Sequence, residues 1–397
     1  MAEIEIPPYF LCPISLEIMK DPVTVSTGIT YDRDSIEKWI FSDGNLTCPV
    51  TRQPLSDPEL TPNVTLRRVI QSWSAYNALE RLPTPRAPVG KSEILKILGE
   101  ARSPDAHANC LVKFQSIASA SQSNRRAMEA AGVVEFLASL IIRNTLELSR
   151  TISQDSIEAI DEALSILFTL QLSEKSLASL SNADFISSLT RSMLNGSFES
   201  RAYSIMLLNQ TLEFADPATL IGLKPDFFQQ STLILKDDIS KKASKSALSA
   251  LITSAPWGRN RIKAVESGIV PILVEQLLDQ PERRACEAIL ALLDLLCQCA
   301  EGRAEFLSHA SGLAVVSKKI LRVSQAASEK GVRIIHSVAK YSATKGILQE
   351  MIQFGVVAKL CLVLQVDSGI RTKEKALDIL KMHHRTWRNS PCRPHVM

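Results

Sequence analysis

The sequence predicts a multidomain chain: a small α+β domain followed by an all-α repeat solenoid. Three observations predict it. Two short runs, FLCPISLEIMKDP (10–22) and TCPVTRQPL (47–55), each carry one Cys-Pro and lie about thirty-five residues apart. Composition then changes near residue 81, where RLPTPRAPVGKSE (81–93) brings three prolines and a glycine. Beyond it a helix–glycine–helix signature returns at a nearly constant interval, which is the mark of stacked repeats.

The bulk properties set outer limits. A chain of 397 residues exceeds one compact core. Hydrophobic residues make up 45% and charged residues 22%, as in ordinary folded proteins. A net charge of +3 implies neither a nucleic-acid nor an anionic-membrane partner. The start, MAEIEIPPYF, is acidic and short of apolar residues, unlike a secretory signal. No uncharged apolar run reaches the length of a membrane span. Eight cysteines without a framework pattern point to free thiols in a reducing compartment, cytoplasmic or nuclear.

The N-terminal elements follow in order. An apolar loop, CPISLEIM (12–19), leads to a hairpin, PVTVSTGITYD (22–32), turning at Thr27-Gly28. A helix over DRDSIEKWIF (32–41), the second Cys-Pro loop and a helix over TLRRVIQSWSAY (65–76) complete the domain. The outline is RING-like, and a RING finger closes two tetrahedral zinc sites with eight side chains. Before His107 only Cys12 and Cys48 are of ligand type, so metal is excluded here. Cohesion then falls to polar groups: Ser15 and Glu17, Asp32 and Arg33, Arg52 and Gln53, and Asn63. These overlie an apolar centre of Ile18, Val23, Val25, Ile36, Ile40 and Val69.

Residues 81–91 read as an extended proline-rich linker. Ser92 is the expected N-cap of SEILKILGEA (92–101). The repeats fill 92–390. NRRAMEAAGVVEFL (124–137), NRIKAVESGIVPIL (260–273), GRAEFLSHASGLAVV (302–316) and TKGILQEMIQFGVVAKL (344–360) share one plan. Their glycines are Gly132, Gly268, Gly312 and Gly355, the last three spaced by 44 and 43. The first interval, 136, is about three periods, so two units without the same glycine should lie inside it, at LSNADFISSL (180–189) and IGLKPDFFQQSTLIL (221–235). A further helix recurs as RAYSIMLLNQTL (201–212), KSALSALITSA (245–255) and RACEAILALLDLL (284–296), with apolar residues at helical spacing. Roughly six or seven repeats of this kind fit, and they resemble armadillo repeats.

The strings GITYDR (28–33), CPVT (48–51), LTPN (60–63) and LRRVIQSW (66–73) identify residues 5–80 as similar to the U-box, the zinc-free relative of the RING. With armadillo repeats behind it, the chain resembles the plant U-box/armadillo E3 ubiquitin ligases, and its PTPRAP segment resembles their stress- and immunity-related subgroup. The resemblance implies a RING-type transferase that forms no covalent intermediate. It docks a ubiquitin-charged conjugating enzyme (E2) and restrains the thioester, while the repeats recruit a protein substrate.

The resemblance further implies an E2 patch of Ile14, Leu16, Trp39 and Pro49, with Arg52 reaching both E2 and ubiquitin. Cys12, Ser15, Glu17, Asp32, Arg33 and Asn63 are then structural, with no metal and no cofactor. It leaves a homodimer through the U-box open. Cys12 is not a transfer nucleophile, because it sits in an apolar stretch with no histidine to lower its pKa. Cys297, Cys299 and the MHHRTW run (382–387) read as helix interior and face. A nuclear-import role needs a row of groove asparagines, yet only Asn209 stands in such a place, beside Leu170, Ser254, Leu295 and Ala339. The basic pairs at 125–126, 241–242, 283–284 and 318–319 are scattered and read as solvated faces. The competing accounts are an inactive armadillo scaffold and a nucleic-acid adaptor; near-neutral charge counts against the second.

Overall fold

A computed structural model describes residues 6–42, 45, 47–55, 60–76, 89–101, 103, 106–148, 154–279 and 282–388. Most of the proline-rich segment at 81–91 lies outside the described residues. The chain divides into two compact units, residues 1–102 with 112–131, and residues 103–111 with 132–397.

In the first unit, β1 (Pro22–Thr24), β2 (Thr30–Asp32) and β3 (Thr61–Pro62) form an antiparallel sheet in the order β2-β1-β3. Val23 stands opposite Tyr31 on one side and Pro62 on the other. The hairpin turns where expected. The Gly28 N–H donates to the Val25 carbonyl at 2.8 Å, and Gly28 takes φ 82°, a conformation that glycine adopts without steric penalty. Helix α1 (Arg33–Glu37) runs into a π-helical turn, Lys38–Ser42. Helix α2 (Val64–Tyr76) closes the domain, its first turn capped by Asn63, whose Oδ1 accepts the Leu66 N–H at 3.0 Å. The Asn63 amide also reaches Thr24 and Thr30 hydroxyls at 3.5 and 3.4 Å, tying α2 to the hairpin.

The core gathers Phe10, Met19, Val23, Tyr31, Ile36, Ile40 and Ile70, with the sulfurs of Cys12 and Cys48. Val25 belongs to it as expected, and Ile18 packs half-buried at its margin. Val69 does not belong to it. Leu66, Ile70 and Trp73 take the inward stripe of α2 at i, i+4 and i+7, so Val69 turns outward and is 46% exposed. Trp73 meets Phe10 edge-on, their centroids 5.5 Å apart. Charge is also buried. Arg33 Nε donates to Asp21 at 2.6 Å, its guanidinium lies 3.6 Å from Glu37, and Arg67 reaches Asp21 at 3.5 Å. Removing one member of such a cluster costs about 3–5 kcal/mol.

Helix α3 (Lys91–Glu100) begins two residues before the start that a Ser92 cap would give. Gly90, extended at φ −66° and ψ 145°, takes the cap position, and its carbonyl accepts the Glu93 N–H at 3.0 Å. Ser92 is therefore an exposed residue of the first turn and not the cap. After α4 (His107–Ala120) comes α5 (Gln122–Ala130), capped by Ser121.

The second unit is helical and repetitive. It contains α6 (Val133–Leu148) and α7 (Gln154–Leu170), then α8 (Glu174–Leu180), α9 (Ala183–Asn195) and α10 (Phe198–Leu212). The next triplet is α11 (Pro217–Ile221), α12 (Pro225–Asp237) and α13 (Lys241–Ser254), followed by α14 (Asn260–Glu266), α15 (Ile269–Leu278) and α16 (Arg283–Leu296). Then come α17 (Ala300–Ser308), α18 (Gly312–Lys319) and α19 (Gln325–Tyr341), and α20 (Lys345–Gln353), α21 (Val356–Gln365) and α22 (Ile370–Met382), with a short α23 (His384–Trp387). Helices α7, α10, α13, α16, α19 and α22 pack in succession as one ladder.

Two local rules set the repeat. Between the first and second helices the chain reverses through a left-handed residue, Gly268 at φ 76° or Gly355 at φ 69°. Gly312 breaks the pattern: it is the first residue of α18, and a Cβ there would meet the Phe306 carbonyl at 2.5 Å. Its smallness serves close packing. In the first turn of the first helix a buried donor satisfies carbonyls at helix ends in the preceding repeat. Asn260 Nδ2 bonds Ser254 O at 3.0 Å and Leu220 O at 2.8 Å; Arg303 donates to Cys297 O at 3.0 Å. Orphan helix-end carbonyls are thereby paired inside the stack.

Candidate functional site

The two Cys-Pro loops are built to one plan. Cys12 N–H donates to Glu17 O at 2.8 Å, and Cys48 N–H donates to Gln53 O at 2.9 Å. Four residues after each cysteine a backbone N–H returns to its carbonyl: Leu16 to Cys12 and Arg52 to Cys48, both at 2.8 Å. Ser15 and Thr51 hydroxyls accept the Glu17 and Gln53 N–H groups at 3.4 and 3.5 Å. Leu16 and Arg52 both take the left-handed conformation, φ 59° and 56°, which is uncommon for residues with a side chain. The loops therefore hold two backbone-strained residues at matching positions, Leu16 being 73% exposed and Arg52 exposed too.

The sulfurs are hydrogen-bonded into the loops. Cys12 Sγ accepts the Asp32 N–H at 3.3 Å. Burial pushes the Cys12 thiol up, but N–H groups of Ser15, Asp32 and Ile14 outweigh it and hold the thiol below its ordinary value. No histidine is among these donors; they are mainly backbone groups. Cys12 is nonetheless fully buried, so the conclusion that it is not a nucleophile stands on access. Cys48 Sγ lies 3.0 Å from the Tyr31 hydroxyl, whose oxygen accepts the Val50 N–H at 3.2 Å. Burial raises the Cys48 thiol, yet hydroxyls of Thr27, Thr51 and Tyr31 bring it down to about 6. Burial and the adjacent sulfur push the Tyr31 hydroxyl up, which keeps it protonated as a donor. Among the described residues no cluster of three or more His, Cys, Asp or Glu is poised for a metal ion.

The other expected structural residues divide. Asp32 Oδ1 accepts the N–H groups of Lys20 and Asp21 at 2.7 and 2.9 Å, closing the first loop onto the sheet. Asp32 does not cap α1 with its side chain. Arg33 anchors the buried ion cluster, and Ser15 and Asn63 act as described. Glu17 contributes through its backbone and is exposed. Arg52 and Gln53 are likewise exposed.

The expected docking residues occupy one type of surface. Trp39 packs half-buried against the core while its Nε1–H donates to Thr47 O at 2.8 Å, bracing the second loop. Ile14 and Pro49 are half-buried. Val50, 53% exposed, is the loop-two counterpart of Ile14; aligning CPISLE with CPVTRQ exposes it in the sequence.

The solenoid positions fare differently. Leu170, Ser254 and Ala339 are buried, leaving Asn209 and Leu295 half-buried. Lys319 is only 9% exposed, which corrects its assignment to a solvated face.

Comparison with known proteins agrees with this architecture. A family model described as U-box domain matches residues 6–78, and one described as Plant U-box protein ARM repeat region matches residues 92–396. The chain is 52% identical to E3 ubiquitin-protein ligase PUB23 of Arabidopsis thaliana, covering 100% of this chain and 97% of that protein. It is 50% identical to E3 ubiquitin-protein ligase PUB22 of the same plant, covering 99% and 97%. A chain solved in work on the phosphorylation-switched interaction between cadherin and beta-catenin shares the fold at TM-score 0.57 and 14% identity, over 81% of this chain and 59% of that one. The chain therefore belongs to the plant U-box/armadillo-repeat family of E3 ubiquitin-protein ligases.

Proposed function

We propose that the two Cys-Pro loops and Trp39 dock a ubiquitin-charged E2, and that Arg52 restrains the conjugate while a substrate lysine attacks. The observation that carries this is the paired presentation of Leu16 and Arg52, exposed and left-handed on loops pinned by their own sulfurs. Leu16, Val50, Ile14 and Pro49 supply a small apolar patch, Trp39 an aromatic rim, and Arg52 the charge. So small a patch suits a transient complex, which an enzyme exchanging spent for charged E2 requires. No thiol of this chain takes part; the lysine amine attacks the partner's thioester and the partner's cysteine thiol leaves, while the U-box contributes position and electrostatic restraint.

The repeats are the substrate-recruiting element in this proposal, because a stack of helix triplets offers an extended protein-binding surface. We place the activity in a reducing compartment, in plant stress and immune signalling, on the free cysteines and the PTPRAP segment. The competing account is a scaffold whose U-box is inert. A reaction with E1, E2, ubiquitin and ATP separates them: self-ubiquitination supports the ligase mechanism, and silence with a broad set of E2s supports the scaffold.

A further inference from the structure

We propose that the second unit carries a docking groove for an acidic peptide segment with bulky apolar side chains, formed by α18, the chain just after it, the α20–α21 turn and α21. The groove encloses about 430 Å³, within the ~300–1,000 Å³ range of ligand pockets. Its floor is small and apolar, with Ala314, Gly355 and Ala358, and its walls expose Phe354 (38%) and Leu362 (45%). Its rim is cationic, with Lys318, Arg322 and Lys359, and no carboxylate lines it.

Two of the three rim cations, Lys318 and Arg322, are exposed. Elsewhere in the unit some cations meet carboxylates: Arg333 lies 2.8 Å from Asp294, and Arg201 lies 2.9 Å from Asp237. Among the described residues neither Lys318 nor Arg322 has an acidic partner. The negative end of α18 is one local use for positive charge. Lys318 and Lys319 stand in its last turn, and Lys359 donates Nζ to the Ile320 carbonyl at 3.2 Å. Ser317 donates to Phe354 O at 3.0 Å, so the polar groups beneath the groove are satisfied and the wall is held in place. The result is a cationic rim, without a carboxylate among the lining residues, around an apolar trough.

Charge complementarity selects the occupant. A free anion would leave Phe354 and Leu362 uncovered, whereas an acidic peptide sets carboxylates against Lys318 and Arg322 and lays an apolar side chain on Ala358. The residues come from adjacent repeats, so the groove exists only in the stacked solenoid.

The test uses the full chain and a fluorescent synthetic peptide of Asp and Glu flanking one Leu and one Phe. Saturable anisotropy is expected, weakened severalfold by raising salt through the physiological range. The double variant Lys318→Glu/Arg322→Glu should weaken binding by about tenfold or more, and Leu362→Ser should weaken it severalfold. Thermal midpoint and self-ubiquitination should stay unchanged; should the charge-reversed protein misfold, Lys318→Gln/Arg322→Gln replaces it. Because self-ubiquitination is read in the same samples, failure of the groove is distinguished from failure of the E2-docking proposal. Equal binding of an Asn/Gln version of the peptide, or undiminished binding by the double variant, overturns the proposal. So does an oligonucleotide that binds more tightly and depends on the same two residues, which makes the groove a phosphate-backbone site.

Discussion

Replacing Tyr31 with Phe removes one oxygen from the centre of the U-box, and the structure says what that oxygen does. The ring is fully buried and its Phe replacement keeps the packing. The hydroxyl accepts the Val50 N–H at 3.2 Å, which leaves its hydrogen for Cys48 Sγ at 3.0 Å. Loss of a bonded partner to a buried group costs about 1–3 kcal/mol; because Val50 lies at the exposed side of the loop, water can rescue its N–H and the lower half applies, about 1–2 kcal/mol. That is roughly tenfold in the opening equilibrium of the second loop, read as faster amide exchange over residues 47–55 with unchanged exchange in the ladder helices.

The same substitution has a pH signature. The folded Cys48 thiol lies at about 6, below its ordinary value of 9.0. The unfolded chain therefore holds a proton that the folded one has released between these limits. Stability from this group is full above about 9, declines as pH falls, and is gone once pH drops below about 6. Tyr31→Phe removes one of the donors, so the folded thiol rises and the pH slope of the urea midpoint between 6 and 9 becomes shallower; Cys48→Ala abolishes that slope. A Tyr31→Phe protein with the parent's loop exchange and the parent's pH slope refutes the reasoning.

Three more outcomes follow from the same geometry. Trp39→Phe keeps the ring's packing but loses the Nε1 bond to Thr47, so amide protection of the second loop and E2 affinity should fall together; intact affinity with a loosened loop separates the two roles. Arg52→Ala leaves the left-handed backbone as it is and removes only the guanidinium; E2 affinity should persist while single-turnover ubiquitin discharge slows about ten- to a hundredfold, and equal loss of both contradicts the restraining role. Gly268→Ala meets no atom within 4 Å, so its effect, about 1 kcal/mol of destabilisation in urea unfolding, isolates the left-handed backbone, and a neutral result removes the conformational argument.

The parts legible in the sequence are those carried by spacing. The paired Cys-Pro strings, the Thr27-Gly28 turn and the recurring glycines announced loops, hairpin and repeat, because turn chemistry and helical periodicity are local. Val69 was misplaced for a reason also local. Leu66, Ile70 and Trp73 define a better inward stripe, and a one-residue shift in helical phase rotates a side chain by about 100°. Ser92 lost the cap to Gly90 because a glycine in extended backbone can start a helix by its carbonyl alone. The lowered Cys12 thiol was invisible because its donors are main-chain N–H groups, which no side-chain pattern reports. The cationic groove was invisible for another reason: Lys318 and Leu362 lie one repeat apart, and only stacking brings them together.

The central claim is that cysteine loops closed by hydrogen bonds, without metal, present a surface that activates a charged E2. Its most direct test is the rate at which the full chain discharges ubiquitin from a preformed E2 thioester to free lysine, with and without a strong chelator. The account predicts acceleration over E2 alone that the chelator leaves unchanged and that Leu16→Asp abolishes. A rate that collapses with chelator, or that Leu16→Asp leaves intact, contradicts it.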